Sequence, residues 1–210
     1  MTDSASHIAG LPLFPLQTVL FPGGVLNLKV FEARYLDLVS RCMRENTAFG
    51  VVCLNQGSEL RSTDGERVRF ESVGVLARLQ DVDAEQPGIL RVRCLGGQRF
   101  RGEPPRQQDD GLWFTNAALI DDDVPVAPPT EFAATVTALT NAIESLRSQG
   151  HLPFNEPFQM NDAGWVANRW CEILPISLAA KQKLMELEEP TLRLKLVDEF
   201  LRGKGVVQGN

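Results

Sequence analysis

Leu11-Pro12-Leu13-Phe14-Pro15-Leu16, followed by Val19-Leu20-Phe21-Pro22-Gly23-Gly24, is the stretch from which the fold is read. The first segment is apolar but broken by two prolines. Proline has no N–H to donate to a sheet ladder, so this segment reads as an edge strand or an extended crossing segment. The second segment ends on Pro22-Gly23-Gly24, a turn signal. Val25 to Val30 then alternates as a strand. The helical period follows at once: Phe31, Tyr35, Leu38, Val39 and Cys42 form one apolar stripe over a helix expected at 31–45.

Working outward, residues 1–10 are small and polar and read as a disordered tail. Downstream of the helix, strand signals dominate at 48–54, 67–82, 89–100 and 112–120. The joints 55–66, 83–88 and 102–111 are polar and rich in turn formers, as hairpin loops are. Gly74 and Gly96-Gly97 lie inside strand patterns, which points to bulges or tight corners. In the third of these strands Leu90, Val92 and Cys94 face one way and Arg91 and Arg93 the other.

Strand signals stop at Ile120. Residues 121–129, Asp121-Asp122-Asp123-Val124-Pro125-Val126-Ala127-Pro128-Pro129, are a linker by composition, with the aspartates on a solvated loop. The period then becomes helical. One helix runs from a Thr130 cap to Gly150, and another over 162–174 with Trp165, Val166, Trp170 and Ile173 inward. Ser177 caps the next, and Pro190 opens the last, in which Leu192, Leu196, Phe200 and Val197 are expected to face the core. The class is α+β: a β-rich unit with one helix over 11–120, a bundle of about four helices over 130–203, and a tail at 204–210.

The 210 residues are 43% hydrophobic and 23% charged, the balance of a globular protein that needs no metal or disulfide to fold. The net charge is −6, most of it in residues 121–210, so the broad positive field that nucleic-acid binding requires is missing. Cys42, Cys53, Cys94 and Cys171 show no CxxC spacing and sit among apolar residues, as buried free thiols do. With no secretory signal and no apolar run of about 18 residues, a cytoplasmic protein that does not cross a membrane is expected.

Common catalytic designs lack their residues. There is no GxxxxGK[ST] phosphate loop and no GxSxG elbow. Only His7 and His151 could serve as imidazole bases or ligands, and neither has an ordering partner in sequence. No catalytic, metal or cofactor site is therefore assigned.

Three sub-motifs occur in order: Leu11 to Leu16, Val19 to Gly23, and Val30-Phe31-Glu32-Ala33-Arg34-Tyr35. Together they resemble the opening of Lon protease N-terminal domains. Gly97-Gln98-Arg99-Phe100, Leu174-Pro175, Lys181 to Glu186 and Arg193-Leu194 resemble later strands and helices of that family, so the likeness runs from Leu11 to Phe200. The resemblance implies a PUA-like β-barrel subdomain followed by a helical bundle. It also implies a non-catalytic, stand-alone module that handles protein substrates without the family's ATPase and protease domains. The partners so implied are unfolded or partly folded polypeptide and other proteostasis proteins. Phe14, Phe21, Trp113, Phe154 and Phe158 are the candidate polypeptide-binding residues, weighed against a plain core role. The alternative is a small-ligand or RNA-binding module using a basic strip of Arg91, Arg93, Arg99 and Arg101.

Overall fold

The computed structural model describes residues 6–56 and 68–207. The chain divides into two units, Met1–Asp122 and Asp123–Asn210. In the first, the strands are β1 (His7–Leu16), β2 (Val25–Val30), β3 (Phe49–Gln56), β4 (Arg69–Phe70), β5 (Val73–Gln86), β6 (Ile89–Gly102), β7 (Arg106–Gln107) and β8 (Trp113–Leu119), with α1 (Ala33–Glu45) after β2. The expected loop 55–66 lies largely outside the described residues, as do 1–5 and 208–210.

The pairings run round a ring: β1 with β3, β3 with β5, β5 with β6, β6 with β8, and β8 back to β1. β2 hangs on the first half of β6, with Val25 opposite Leu95 and Val30 opposite Leu90. Leu11, Leu13, Val52, Leu76, Phe100 and Ala117 form the core cluster.

The proline-broken segment is not an edge strand. β1 is flanked on both sides, but by different strands along its length. It pairs with β8 from His7 to Leu13 and with β3 from Leu13 to Leu16. Pro12 thus lies where only β8 is in register, and Pro15 where only β3 is. Each proline meets a one-sided ladder, which is where a missing N–H is tolerated. The expected frayed tail is also shorter, because His7 and Ile8 already pair with Ala118 and Ala117.

Two glycines are required by close backbone approach. A Cβ on Gly74 would stand 2.3 Å from the Val51 carbonyl oxygen, and one on Gly96 would stand 2.3 Å from that of Phe21. At Gly96 the β5–β6 register also shifts: Val75 faces Arg99 but Ala77 faces Gly96. Gly23, at φ +72°, donates to the Gly96 carbonyl, while Gly96 donates to that of Gly24, both at 2.8 Å. That pattern is a glycine bulge leading into β2.

α1 begins two residues later than the sequence predicts, with Glu32 at the N-cap. Tyr35, Leu38, Val39 and Cys42 are buried as expected. Phe31 precedes the helix, escapes its stripe and is 52% exposed.

The second unit contains a 3-10 turn (Thr130–Phe132), α2 (Ala133–Ser148), α3 (Ala163–Ile173), α4 (Leu178–Glu186) and α5 (Pro190–Gly203). Thr130 starts the turn instead of capping α2. Ser177 does cap α4, accepting from the Ala180 N–H at 3.1 Å, and Asp162 caps α3 at 2.7 Å to the Trp165 N–H. Gly150 ends α2's turn with φ +78°.

α5 is rotated from its expected face. Pro190, Arg193, Leu194, Val197, Asp198 and Leu201 are buried, while Leu192 and Leu196 are each 42% exposed. Ranking by hydrophobicity misplaces the face because two charged residues point inward. Arg193 donates to Asp123 at 2.7 Å, to the Asn168 side chain at 2.9 Å, to the Leu184 carbonyl at 3.0 Å and to the Leu187 carbonyl. Asp198 accepts from the Thr135 hydroxyl and from Arg202. Burying a charge is tolerable when it is paired and hydrogen-bonded throughout. Asp123, read as a loop solvated by water, is instead the anion for Arg193.

Candidate functional site

In the first unit, Trp113 opens β8 half-buried and meets Phe70 of β4 edge-on, with ring centroids 5.5 Å apart. Beside this pair lies a pocket of about 240 Å³. Leu13, Val52 and Phe100 of the core form its apolar side, Phe70 one wall, and Pro104-Pro105 part of its rim. The volume is below the roughly 300–1,000 Å³ of drug-sized ligand sites, and it suits one apolar side chain.

Phe14 and Phe21 are core residues. Phe14 stacks on Tyr35 at 3.8 Å between centroids, and Phe21 is fully buried. The basic strip does not form. Arg91 and Arg101 are exposed, but Arg99 is 2% exposed and donates to the Asp121 carbonyl. Arg91 is bound to Glu85 at 3.1 Å. With Arg99 turned inward beyond the irregularity at Gly96, these four arginines do not share one face.

In the second unit, Phe154 is buried and Phe158 half-buried, both against Trp165, at 6.4 and 6.0 Å between centroids. Arg169 lies 5.7 Å from the Phe154 ring and Arg147 lies 5.5 Å from that of Phe158. Phe154 is therefore a packing residue, whereas Phe158 keeps part of its ring open.

Five aromatics expected to share a role thus fall into distinct settings. Phe14, Phe21 and Phe154 fill cores, while Trp113 and Phe158 reach the surface. Sequence reading missed Phe70, which lies just beyond the undescribed residues, and placed Phe31 in the core. Phe31's position immediately before the helix cap was the available signal.

A comparison with protein-family models matches residues 10–203 to the ATP-dependent protease La (LON) substrate-binding domain. The chain belongs to the Lon substrate-binding domain family. It is similar to a Lon N-terminal domain protein from Xanthomonas campestris whose crystal structure is solved. The two share 30% identity and a TM-score of 0.69, over 90% of this chain and 97% of that one. The N-terminal domain of Lon protease from the Mycobacterium avium complex shares the fold, with a TM-score of 0.59 at 16% identity, over 91% and 97% of the two chains. Lon protease of Anaeromyxobacter dehalogenans is 27% identical over 93% of this chain, and that of Cytophaga hutchinsonii 24% identical over 95%. These matches cover 23% and 25% of those proteases, so the chain spans about a quarter of the length of the curated relatives it matches.

The matched part of Lon is its substrate-binding domain. All four cysteines are buried. Burial pushes the Cys53 thiol up to about 11 and those of Cys94 and Cys171 up to about 12, which suppresses the thiolate that nucleophilic work needs. Among the described residues, no group of three or more His, Cys, Asp or Glu side chains is placed to hold a metal ion. No helix among them is long and apolar enough to cross a membrane.

Proposed function

We propose that this domain holds unfolded or partly folded polypeptide, gripping apolar side chains in the pocket beside Trp113. The observation that carries the reading is the joining of core floor, Phe70 wall and proline rim into one small, mainly apolar recess, with the half-buried Trp113 ring against the Phe70 that walls it. Aromatic anchors of this kind dominate binding energy when they fill desolvated pockets. Phe158 is a second contact point, on the other unit. The family membership supports the same reading, since the domain carries the name of the protease's substrate-binding part.

The test is capture of a permanently unfolded model protein, reduced and carboxymethylated. Phe70→Ala combined with Trp113→Ala should weaken capture at least tenfold while circular dichroism stays native. Capture by the wild type should persist at high salt, since apolar contacts are not screened. Undiminished capture by the double variant would remove the pocket from the account, and no capture by the wild type would remove the function.

A further inference from the structure

We propose that the outer edge of β2 is a strand-adding site for an extended polypeptide segment whose apolar and charged residues alternate. This inference rests on the polypeptide-binding reading and specifies a second mode of contact within it.

β2 pairs with β6 alone, and among the described residues no strand lies along its other side. β4 and β7 also pair on one side only, but each has just two residues. β2 has six. Its phase follows from the glycine bulge. The Gly96 N–H donates to the Gly24 carbonyl, so the backbone of Gly24 faces β6. Alternation then turns the backbone groups of Leu26, Leu28 and Val30 toward β6, and those of Val25, Asn27 and Lys29 outward. An incoming strand would find a row of donors and acceptors there, as in other β-augmentation sites.

The two faces flanking this edge differ in chemistry. On one lies a pocket of about 240 Å³ lined mainly by Phe14, Leu16, Leu28, Val30, Phe31 and Tyr35, with Asn27, Lys29 and Glu32 at its margin. On the other lies one of about 460 Å³ lined mainly by Asn27, Lys29, Asp81, Asp83, Arg91 and Arg93, together with Leu28 and Val92. Successive side chains of an added strand point to opposite faces. Apolar residues would therefore enter beside Phe31, whose ring is 52% exposed, and charged residues of either sign would meet the mixed charges opposite.

Beyond the bulge that precedes it, this edge lacks two of the usual protecting devices. Natural edges are blunted by proline or by a projecting lysine. Val25–Val30 contains no proline, and its lysine, though exposed, is paired on the sheet, with the Lys29 ammonium 3.3 Å from Glu85 of β5. Glu85 is shared with Arg91, so the charge that would repel an added strand is compensated on the sheet face.

The experiment uses the full chain and a labelled ten-residue peptide alternating valine with lysine and glutamate, read by fluorescence anisotropy. Asn27→Pro deletes an outward N–H without touching the ladder to β6, and should weaken peptide binding at least tenfold with the thermal midpoint preserved. Phe31→Ala should weaken it several-fold. In hydrogen exchange, the amides of Asn27 and Lys29 should slow on adding peptide. Equal peptide binding by Asn27→Pro, or unchanged exchange at those two amides, overturns the proposal. So does a dimer in sedimentation that Asn27→Pro dissolves, because the edge would then serve a second copy. Should Asn27→Pro fail to fold, Phe31→Ala and the exchange measurement decide. Loss of the peptide result with capture of unfolded protein intact defeats the β2 site alone, whereas loss of both defeats the polypeptide reading itself.

Discussion

Gly96 and Gly74 hold their places because neighbouring backbone leaves no room for a methyl group. Alanine at either position would put a Cβ 2.3 Å from a carbonyl oxygen, so the strands must part. Each substitution should cost about 1–3 kcal/mol or more, read as a lower urea midpoint. Arg193 is a second sensitive position. Its guanidinium is 1% exposed and joins Asp123, α3 and α4. Arg193→Ala should cost about 3–5 kcal/mol, because Asp123 loses its cation and two carbonyls lose a donor. Arg193→Lys should recover little, since an ammonium cannot reproduce the planar fork.

Glu172, on α3, sets a pH signature. Burial pushes its carboxyl up to about 7, against the pull of Arg169 at 2.6 Å and of Lys181. The unfolded chain releases that proton near 4.5 and the folded chain near 7. Folding thus retains a proton in that interval. The contribution of Glu172 to stability is complete below about 4.5 and is lost as pH rises through 7. Thermal midpoints of the wild type and of Glu172→Gln, whose amide oxygen still accepts from Arg169, should therefore diverge in favour of the variant as pH rises from 4.5 to 7.5. Parallel curves would show that Glu172 stays ionised throughout.

At the scale of elements, α5 offers a direct comparison. Leu192→Gln with Leu196→Gln should change stability by no more than about 0.5 kcal/mol each, as surface positions do. Leu194→Ala or Leu201→Ala should cost about 2–5 kcal/mol, as buried leucines do. Chemical denaturation of the four variants would separate the two faces. The same helix shows what a sequence conceals. Its existence, its Pro190 opening and its length were legible from the 3.6-residue period. Its rotation was not, because Arg193 and Asp198 are buried through partners 70 and 63 residues away in the chain. The strands behaved similarly. Alternation located β2, β6 and β8 closely, while the two-sided pairing of β1 was invisible, since nothing local reveals that its neighbours change at Leu13. Among the site residues, Trp113 was legible as an aromatic near polar loops. The pocket beside it was not, because Leu13, Val52, Phe70 and Phe100 converge from four strands.

For the molecule as a whole, family and class were legible from motifs at both ends of the chain, and the family match spans residues 10–203. Contact chemistry was not, because motif residues such as Phe14, Phe21 and Tyr35 mainly build the core. The chain is acidic overall, at −6, and carries an apolar recess walled by Phe70. Its affinity for an unfolded client should change little between 50 and 500 mM salt, as titration calorimetry would show; a phosphate-binding surface would lose orders of magnitude.

The split partnership of β1 governs the order in which this chain can acquire structure. Gly10 bonds to the Asn116 side chain across 106 residues of sequence, and the ring of strands cannot form before β8 has been synthesised. Closing so large a loop is entropically costly, and contacts of this separation slow folding. The helices of residues 130–203 draw most of their hydrogen bonds from within four residues and face no such delay. In a chain carrying Trp165→Phe and Trp170→Phe, stopped-flow refolding should recover the helical signal before the fluorescence of Trp113. During that interval Leu11, Leu13 and Phe100 lie open to solvent, so a protein proposed to hold unfolded chains would itself pass through a stage exposed to being held.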